Sequence, residues 1–447
     1  MLEWLKASVH KGRSNVWIGL GVLWIVGFIG ALSRFIMAYY QVQISADLGI
    51  GRGFISLSWS TNLFIAALCA PLGGWLVDRF GAKKVMILST LLSVAGTGTV
   101  YLGHIPLVFF TGYGIIAGLA GIGASTTYVL LFGWFDKHRA KAIALIQSAS
   151  SIGLAVCTPI FAQNSWISWK VTFLASCILG LVVTLPLILL FIRNPRIERA
   201  SKTGKGTTTE EGKTTGEGKT VGANIRREGK TADTTVPGER KSRLKVLGRT
   251  QLAILLTIGF ALFTCGFNMG TVEMNLVAIH QEANVPNTTI AAAMAVLGVM
   301  EIAGSFAFGF LLDRWNKPYV MFMLYGIRVF SFMILFAHFP ASPVLFALSF
   351  GITYLGAVPG GLMIADQLGG AKGRMVGILL LFHQGGGILG ALLGGILYDY
   401  MRSYQLLIAV DAGLALAAAA GYVMIRRYKN YQAAVPGETQ TNLPVQT

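Results

Sequence analysis

Six ionisable side chains sit where water should not reach. Arg34, Glu273, Glu301, Arg328, His383 and Asp411 lie inside long apolar runs, and Asp366 lies near the end of one. An ionisable group at the middle of a lipid-embedded helix costs about 2.5–3.5 kcal/mol on insertion scales, so each is a functional candidate. Arg34 would present a planar fork suited to a carboxylate. Arg328 can serve the same purpose, or turn inward to Glu301, Asp366 or backbone carbonyls. A carboxyl in a medium of low dielectric can carry a proton near neutral pH, which makes Glu301 a proton-coupling candidate. His383 is the second, because imidazole titrates near neutrality. Asp411 leaves a structural and a functional reading open. The cysteines Cys69, Cys157, Cys177 and Cys265 also sit in apolar runs, without metal-ligand spacing, and read as small packing residues. No Walker-type loop and no His/Cys/acid cluster is present. No metal, no cofactor and no enzymatic reaction are expected.

These side chains need helices in lipid to hold them. Of 447 residues, 54% are hydrophobic and 12% charged, against about 25% charged in a soluble domain. A bilayer core takes roughly 20 apolar residues per helix. Twelve such runs can be read, at about 17–41, 53–77, 84–103, 107–133, 141–163, 169–192, 251–279, 288–312, 318–338, 342–366, 375–398 and 403–425. The first, from near Trp17 to about Tyr40, is too long for the core of a signal peptide and is expected to span. Among 36 lysines and arginines, only Arg52, Lys170 and Arg402 fall on the outer side, and Arg34 and Arg328 lie within spans. The other 31 lie on the side of the termini. The positive-inside rule then places both termini in the cytoplasm. The net charge of +17 is accounted for by this topology and calls for no nucleic acid.

Residues 194–248 are rich in Gly, Lys, Thr and Glu, with almost no large apolar groups. Such a stretch cannot offset its chain entropy and is expected to be a disordered basic linker. Next to a membrane it could attract anionic lipid headgroups. The expected organisation is an N-terminal six-helix bundle over 1–193, the linker 194–248, a C-terminal six-helix bundle over 249–430, and a cytoplasmic tail 431–447.

The two bundles repeat one another at an offset of 235. Ile44, Asp47, Ile50 and Ile55 meet Ile279, Glu282, Val285 and Ile290, and Gly74, Asp78 and Arg79 meet Gly309, Asp313 and Arg314. Both copies keep one orientation, as in parallel repeats about an axis along the membrane normal. Arg34 maps onto position 269, one helical turn from Glu273. An Arg34–Glu273 pair could be an outer gate, a competitor for substrate, or a fixed bridge between the halves.

The run Gly74-Trp75-Leu76-Val77-Asp78-Arg79-Phe80-Gly81-Ala82-Lys83-Lys84 resembles the loop between helices two and three of the major facilitator superfamily. A shorter copy, Gly309 to Lys317, falls between helices eight and nine, as the resemblance requires. In physical terms Gly74 would let helices approach closely. Asp78 could pair with a basic neighbour or cap another helix. Gly74, Asp78, Arg79, Gly81, Asp313 and Arg314 are therefore expected to form a conformational latch. The stretch Phe132-Gly133-Trp134-Phe135-Asp136-Lys137-His138-Arg139-Ala140 looks like the loop after helix four in bacterial monocarboxylate-porter-like members, with Ala140 where that group has Gly. Leu381-Phe382-His383-Gln384-Gly385-Gly386-Gly387 resembles their helix eleven. Glu301 stands where eukaryotic monocarboxylate transporters carry an Asp-Arg pair, and no arginine accompanies it.

The resemblance implies that helices one, four, seven and ten line a central cavity. Arg34, Tyr128, Asn268, Glu273 and Arg328 are then the expected substrate-binding residues, with Glu301 and His383 for proton coupling. Pro359-Gly360-Gly361 is a candidate hinge, because Pro removes a backbone bond. The glycines from Gly385 to Gly395 give a smooth face for close packing or sliding. The expected protein is an all-α, multi-pass secondary transporter of the bacterial-type cytoplasmic inner membrane, working as a monomer. It would carry a small organic anion, such as the monocarboxylates lactate or pyruvate, with protons. Proton-driven efflux of drugs or cations is the alternative, and a transporter-like sensor a third.

Overall fold

A chain this apolar must satisfy its backbone within itself, and in lipid the helix does so. The computed structural model describes residues 14–135, 139–164, 166–194, 249–367 and 372–434. The central linker beyond Asn194 and the tail beyond residue 434 lie outside the described residues, as does most of the loop after helix four. Twelve helices are long and apolar enough to span. The first six are α1 (Val16–Leu48), α2 (Arg52–Phe80), α3 (Ala82–Leu102), α4 (Pro106–Trp134), α5 (Ala142–Gln163) and α6 (Trp169–Phe191). The second six are α7 (Gln251–Glu282), α8 (Asn287–Arg314), α9 (Lys317–Ala337), α10 (Ser342–Asp366), α11 (Met375–Met401) and α12 (Gln405–Arg427). The read spans recur in register, and several helices run a turn or two longer.

Helices α7 and α11 touch backbone to backbone. A methyl on Gly266 would strike the carbonyl of His383, and one on Gly270 the carbonyl of Gly387. From the other side Gly386 abuts the carbonyl of Phe263, and Gly390 that of Phe267. Lipid supplies no hydrophobic drive between helices, so this small-residue contact is what joins them. It lies within one half, which makes it a fixed seam. Gly395 differs, because it abuts the backbone of Arg52 in α2.

The two halves meet at the end far from the termini. Both carboxylate oxygens of Asp399 in α11 accept the first backbone N–H groups of α2, from Arg52 at 2.9 Å and Gly53 at 2.8 Å. The Arg52 guanidinium lies 3.5 Å over the Tyr398 ring. It donates to Glu282 of α7 at 3.2 Å and to the Tyr404 hydroxyl at 3.1 Å. Tyr398 donates to the same Glu282 oxygen at 2.6 Å. Burial pushes the Tyr404 phenol up to about 12, against the lowering effect of the Arg52 guanidinium. Lower down, Ser60 donates to the carbonyl of Ile388 at 2.9 Å. On the opposite flank Gly298 of α8 rests on the Ser151 carbonyl of α5.

Toward the termini the halves part. Gly53, Ser56 and Ser60 of α2 are buried against α11, but Phe64, Leu68 and Trp75 on the same stripe are exposed. Leu381 and Ile378 of α11 are exposed opposite them. The expected latch is therefore disengaged. A methyl on Gly74 or on its repeat-mate Gly309 would meet nothing within 4 Å. Among the described residues no hydrogen bond or ion pair engages the exposed Asp78 or Asp313. Arg79 lies over the Trp75 and Phe80 rings instead, and Arg314 over Phe310. The close approach expected at Gly74 fails because the helix ends it would join are splayed. Gly81 keeps a conformational role: its N–H closes α2 on the Val77 carbonyl at 2.8 Å, and its φ of +86° turns the chain from there into α3. The side chain of Asn194 then accepts the Lys83 backbone N–H at 2.9 Å, tying this loop to the end of α6.

Two outcomes test this packing. Gly390→Val should drive a side chain into the Phe267 carbonyl and cost about 1–3 kcal/mol, read as a lower melting temperature in detergent. Asp399→Ala strips α2 of its cross-half cap, a loss of about 1.5–3 kcal/mol per charged hydrogen bond. Spin labels at Ile50 and Arg402 should then show a longer-distance population. An unchanged distance distribution would mean that the cap does not hold the far end shut.

Candidate functional site

Below the far-end closure, near the middle of the spans, lies a cavity of about 340 Å³ between the halves. Its walls come from α1, α2, α5, α7, α8 and α10. Arg34 of α1, Glu273 of α7 and Glu301 of α8 are its charged residues. Gln147, Ser150, Ser151 and Tyr354 add polar groups, and Phe35, Trp59, Leu154, Met269, Met294 and Leu297 add apolar wall.

Helical period brings these side chains to one place. On α7 Met269, Val272 and Glu273 share the face toward the cavity. On α8 Met294, Leu297 and Glu301 do the same, at spacings of three and four. The repeat predicted that Arg34 and Glu273 would face one another, and both line this cavity. They form no direct ion pair. Glu273 accepts the Tyr354 hydroxyl at 2.5 Å. Glu301, 5% exposed, accepts the Ser151 hydroxyl at 2.7 Å across the halves. Arg34 makes one long contact, from Nη2 to Ser150 at 3.5 Å. Each carboxylate is thus held by a neutral hydroxyl donor, while the half-buried guanidinium keeps most of its donor capacity.

Other expected residues stand elsewhere. Arg328 does not reach the cavity. It is wholly buried between α9 and α10, where Nη2 donates to the carbonyls of Thr353 and Tyr354 at 3.1 and 3.2 Å, and Nε to the Thr353 hydroxyl at 3.3 Å. Helix α10 opens into a turn at 354–356, between the helical pieces Ser342–Thr353 and Ala357–Asp366. Pro359 has no N–H to offer the Leu355 carbonyl, and the ladder opens over 354–356, a turn before the expected hinge Pro359-Gly360-Gly361, which is itself helical. Arg328 supplies donors to the opened segment, and its contact is structural. Asn268 faces away from the cavity and donates to the Asp411 carboxylate of α12 at 2.7 Å. Tyr128 is exposed and lies against Phe132, outside the cavity wall. The turn geometry of α4, π-helical over Phe110–Ile116 and 3-10 over Ala120–Gly123, separates it from the level of the site. His383 lies beside Cys265 at the α7–α11 seam and also stays out of the wall.

Sequence reasoning missed the partners of the charges. Ser150 and Ser151 carry no signal until α5 is known to face α8. Tyr354 is a lone hydroxyl in an apolar run until Glu273 is known to lie beside it. The Arg52–Glu282–Asp399 closure was missed because Arg52 read as a loop charge. One signal existed: Glu282 is the repeat-mate of Asp47. Asp47 binds the Trp169 indole at 2.7 Å within its own half, whereas Glu282 reaches across.

The sequence model of the Major Facilitator Superfamily matches residues 23–356 and 258–447. An uncharacterised transporter of this type, YcxA of Bacillus subtilis (strain 168), is 26% identical over 393 residues, covering 83% of this chain and 86% of its own length. Monocarboxylate transporter 3 of Gallus gallus is 22% identical over 437 residues, covering 92% of this chain and 78% of its own. Among solved structures the nucleoside transporter NupG shares the fold, with a TM-score of 0.66 at 13% identity, over 92% of this chain and 99% of its own. The twelve helices, the parallel repeat and the cavity between the halves carry the same conclusion: the chain belongs to the Major Facilitator Superfamily and is a multi-pass membrane transporter.

Proposed function

We propose that the protein moves a monocarboxylate anion together with a proton, across a cytoplasmic membrane in which both termini face the cytoplasm. The observation that carries this reading is the unequal state of the three cavity charges. Glu273 and Glu301 already hold hydroxyl donors, and Arg34 has no carboxylate partner. A carboxylate entering the cavity finds its partner at Arg34, in the bidentate geometry guanidinium favours. The similarity to monocarboxylate transporters supports the class of anion.

Charge balance supports the proton. With both glutamates ionised and Arg34 cationic, the cavity carries one net negative charge. An added anion would raise that to two in a medium of low dielectric, where like charges repel strongly. A proton on Glu301, the more buried acid, removes the excess. Glu301 also bridges the halves through Ser151, so its protonation and the rocking of the halves are linked. Alternating access follows from the two ends: the far end is clasped, the terminus end is open, and engagement of the Gly74 and Gly309 segments would close the second as the first releases. The cavity forms within one chain, so a monomer suffices.

The two acids also favour a second reading, in which a cation binds Glu273 and Glu301 and leaves by proton antiport. Arg34→Gln separates the two. In proteoliposomes it should abolish anion uptake, at least 100-fold, with Arg34→Lys recovering only part because an ammonium lacks the fork. Cation transport surviving in Arg34→Gln would support the antiporter instead. Glu301→Gln should retain anion exchange at equal concentrations while losing accumulation driven by an inward proton gradient. Undiminished accumulation in that variant would remove Glu301 from the coupling step.

A further inference from the structure

We infer that the carried anion is a monocarboxylate with a bulky apolar body, aromatic or branched, rather than a three-carbon acid; this rests on the reading of Arg34 as the carboxylate partner. One unpaired cation fixes one carboxylate, which disfavours a dicarboxylate. The rest of the ligand follows from size and wall chemistry. The cavity holds about 340 Å³. At about 30 Å³ per water-sized group that is room for roughly eleven such groups. Lactate and pyruvate have six heavy atoms each and would leave almost half of it wet.

The unfilled part would be apolar. Phe35 and Trp59 present rings, Leu154 and Leu297 branched wall, and Met269 and Met294 flexible thioethers from α7 and α8 of the C-terminal half. Aromatic bodies find favourable offset and edge contacts on such rings. Methionines adapt to irregular apolar shapes and make sulfur–ring contacts. A short acid covers little of this surface, whereas a six-carbon branched chain or a phenyl group covers most of it. Each further buried methylene strengthens binding about fourfold. The same wall disfavours a second carboxylate, since Glu273 and Glu301 are the other charged residues there and both are acids.

The experiment uses the full chain. Thermal shifts in detergent are measured with acetate, lactate, 4-methyl-2-oxopentanoate, 3-phenyllactate and succinate, followed by uptake of radiolabelled 3-phenyllactate into proteoliposomes with the same acids as competitors. The expected result is an inhibitory constant at least tenfold lower for phenyllactate than for lactate, with succinate inert. Lactate binding as tightly as phenyllactate, or more tightly, would overturn the inference while leaving the carboxylate reading in place. If no acid shifts or competes while organic cations do, both fall together. Leu154→Phe gives an independent measure, because an added ring fills the apolar space. It should lower the phenyllactate-to-lactate preference at least fivefold, and an unchanged preference would overturn the inference.

Discussion

Inside a bilayer no polar group can fall back on water, and the architecture is organised by that constraint. It makes every span a helix. It also decides what happens where a helix fails. Pro359 costs α10 a backbone bond, and Arg328 is buried beside the resulting turn with its donors on the Thr353 and Tyr354 carbonyls. Asp411 lies wholly buried against the Asn268 amide. Asp399 occupies the N-terminus of α2, where a helix presents unsatisfied N–H groups and a partial positive charge. Arg328 and Asp399 are thus held by a defect or an end in the helical framework, and Asp411 by a side-chain amide of a neighbouring helix.

The cavity charges follow a different pattern. Arg34 has only a distant serine, and the two glutamates meet hydroxyls rather than cations. Arg34 and Arg328 are both arginines within apolar spans, yet Arg328 is buried on the Thr353 and Tyr354 carbonyls, while Arg34 stands half-buried at the cavity with most of its donors free.

Closure at one end and opening at the other have the same origin. The far end is held by contacts that cross between halves: Arg52 with Glu282 and the Tyr398 ring, Asp399 with the start of α2, and Ser60 with Ile388. The α7–α11 glycine seam does not cross, so it keeps the C-terminal half rigid while the cross-half contacts break or form. Gly74 and Gly309 occupy matching places on α2 and α8, the two helices that face α11 and α5 across the interface. Their open surroundings in this conformation are where the opposite state can make its contacts.

The sequence by itself determined the twelve spans, the repeat at an offset of 235, a break in α10 close to Pro359 and the placing of Arg34 and Glu273 on one cavity. These follow from local rules: apolar length, helical period and the missing proline N–H. What only the tertiary structure decided was which charges are satisfied. Tyr128, Asn268 and Arg328 were reasonable binding residues, and His383 a reasonable proton-coupling one, until their helices were rotated into place. Arg52 was an ordinary loop arginine until Glu282, over two hundred positions away, was brought to 3.2 Å. A side chain's role in lipid depends on its partner across the interface, and such partners carry no local sequence signature.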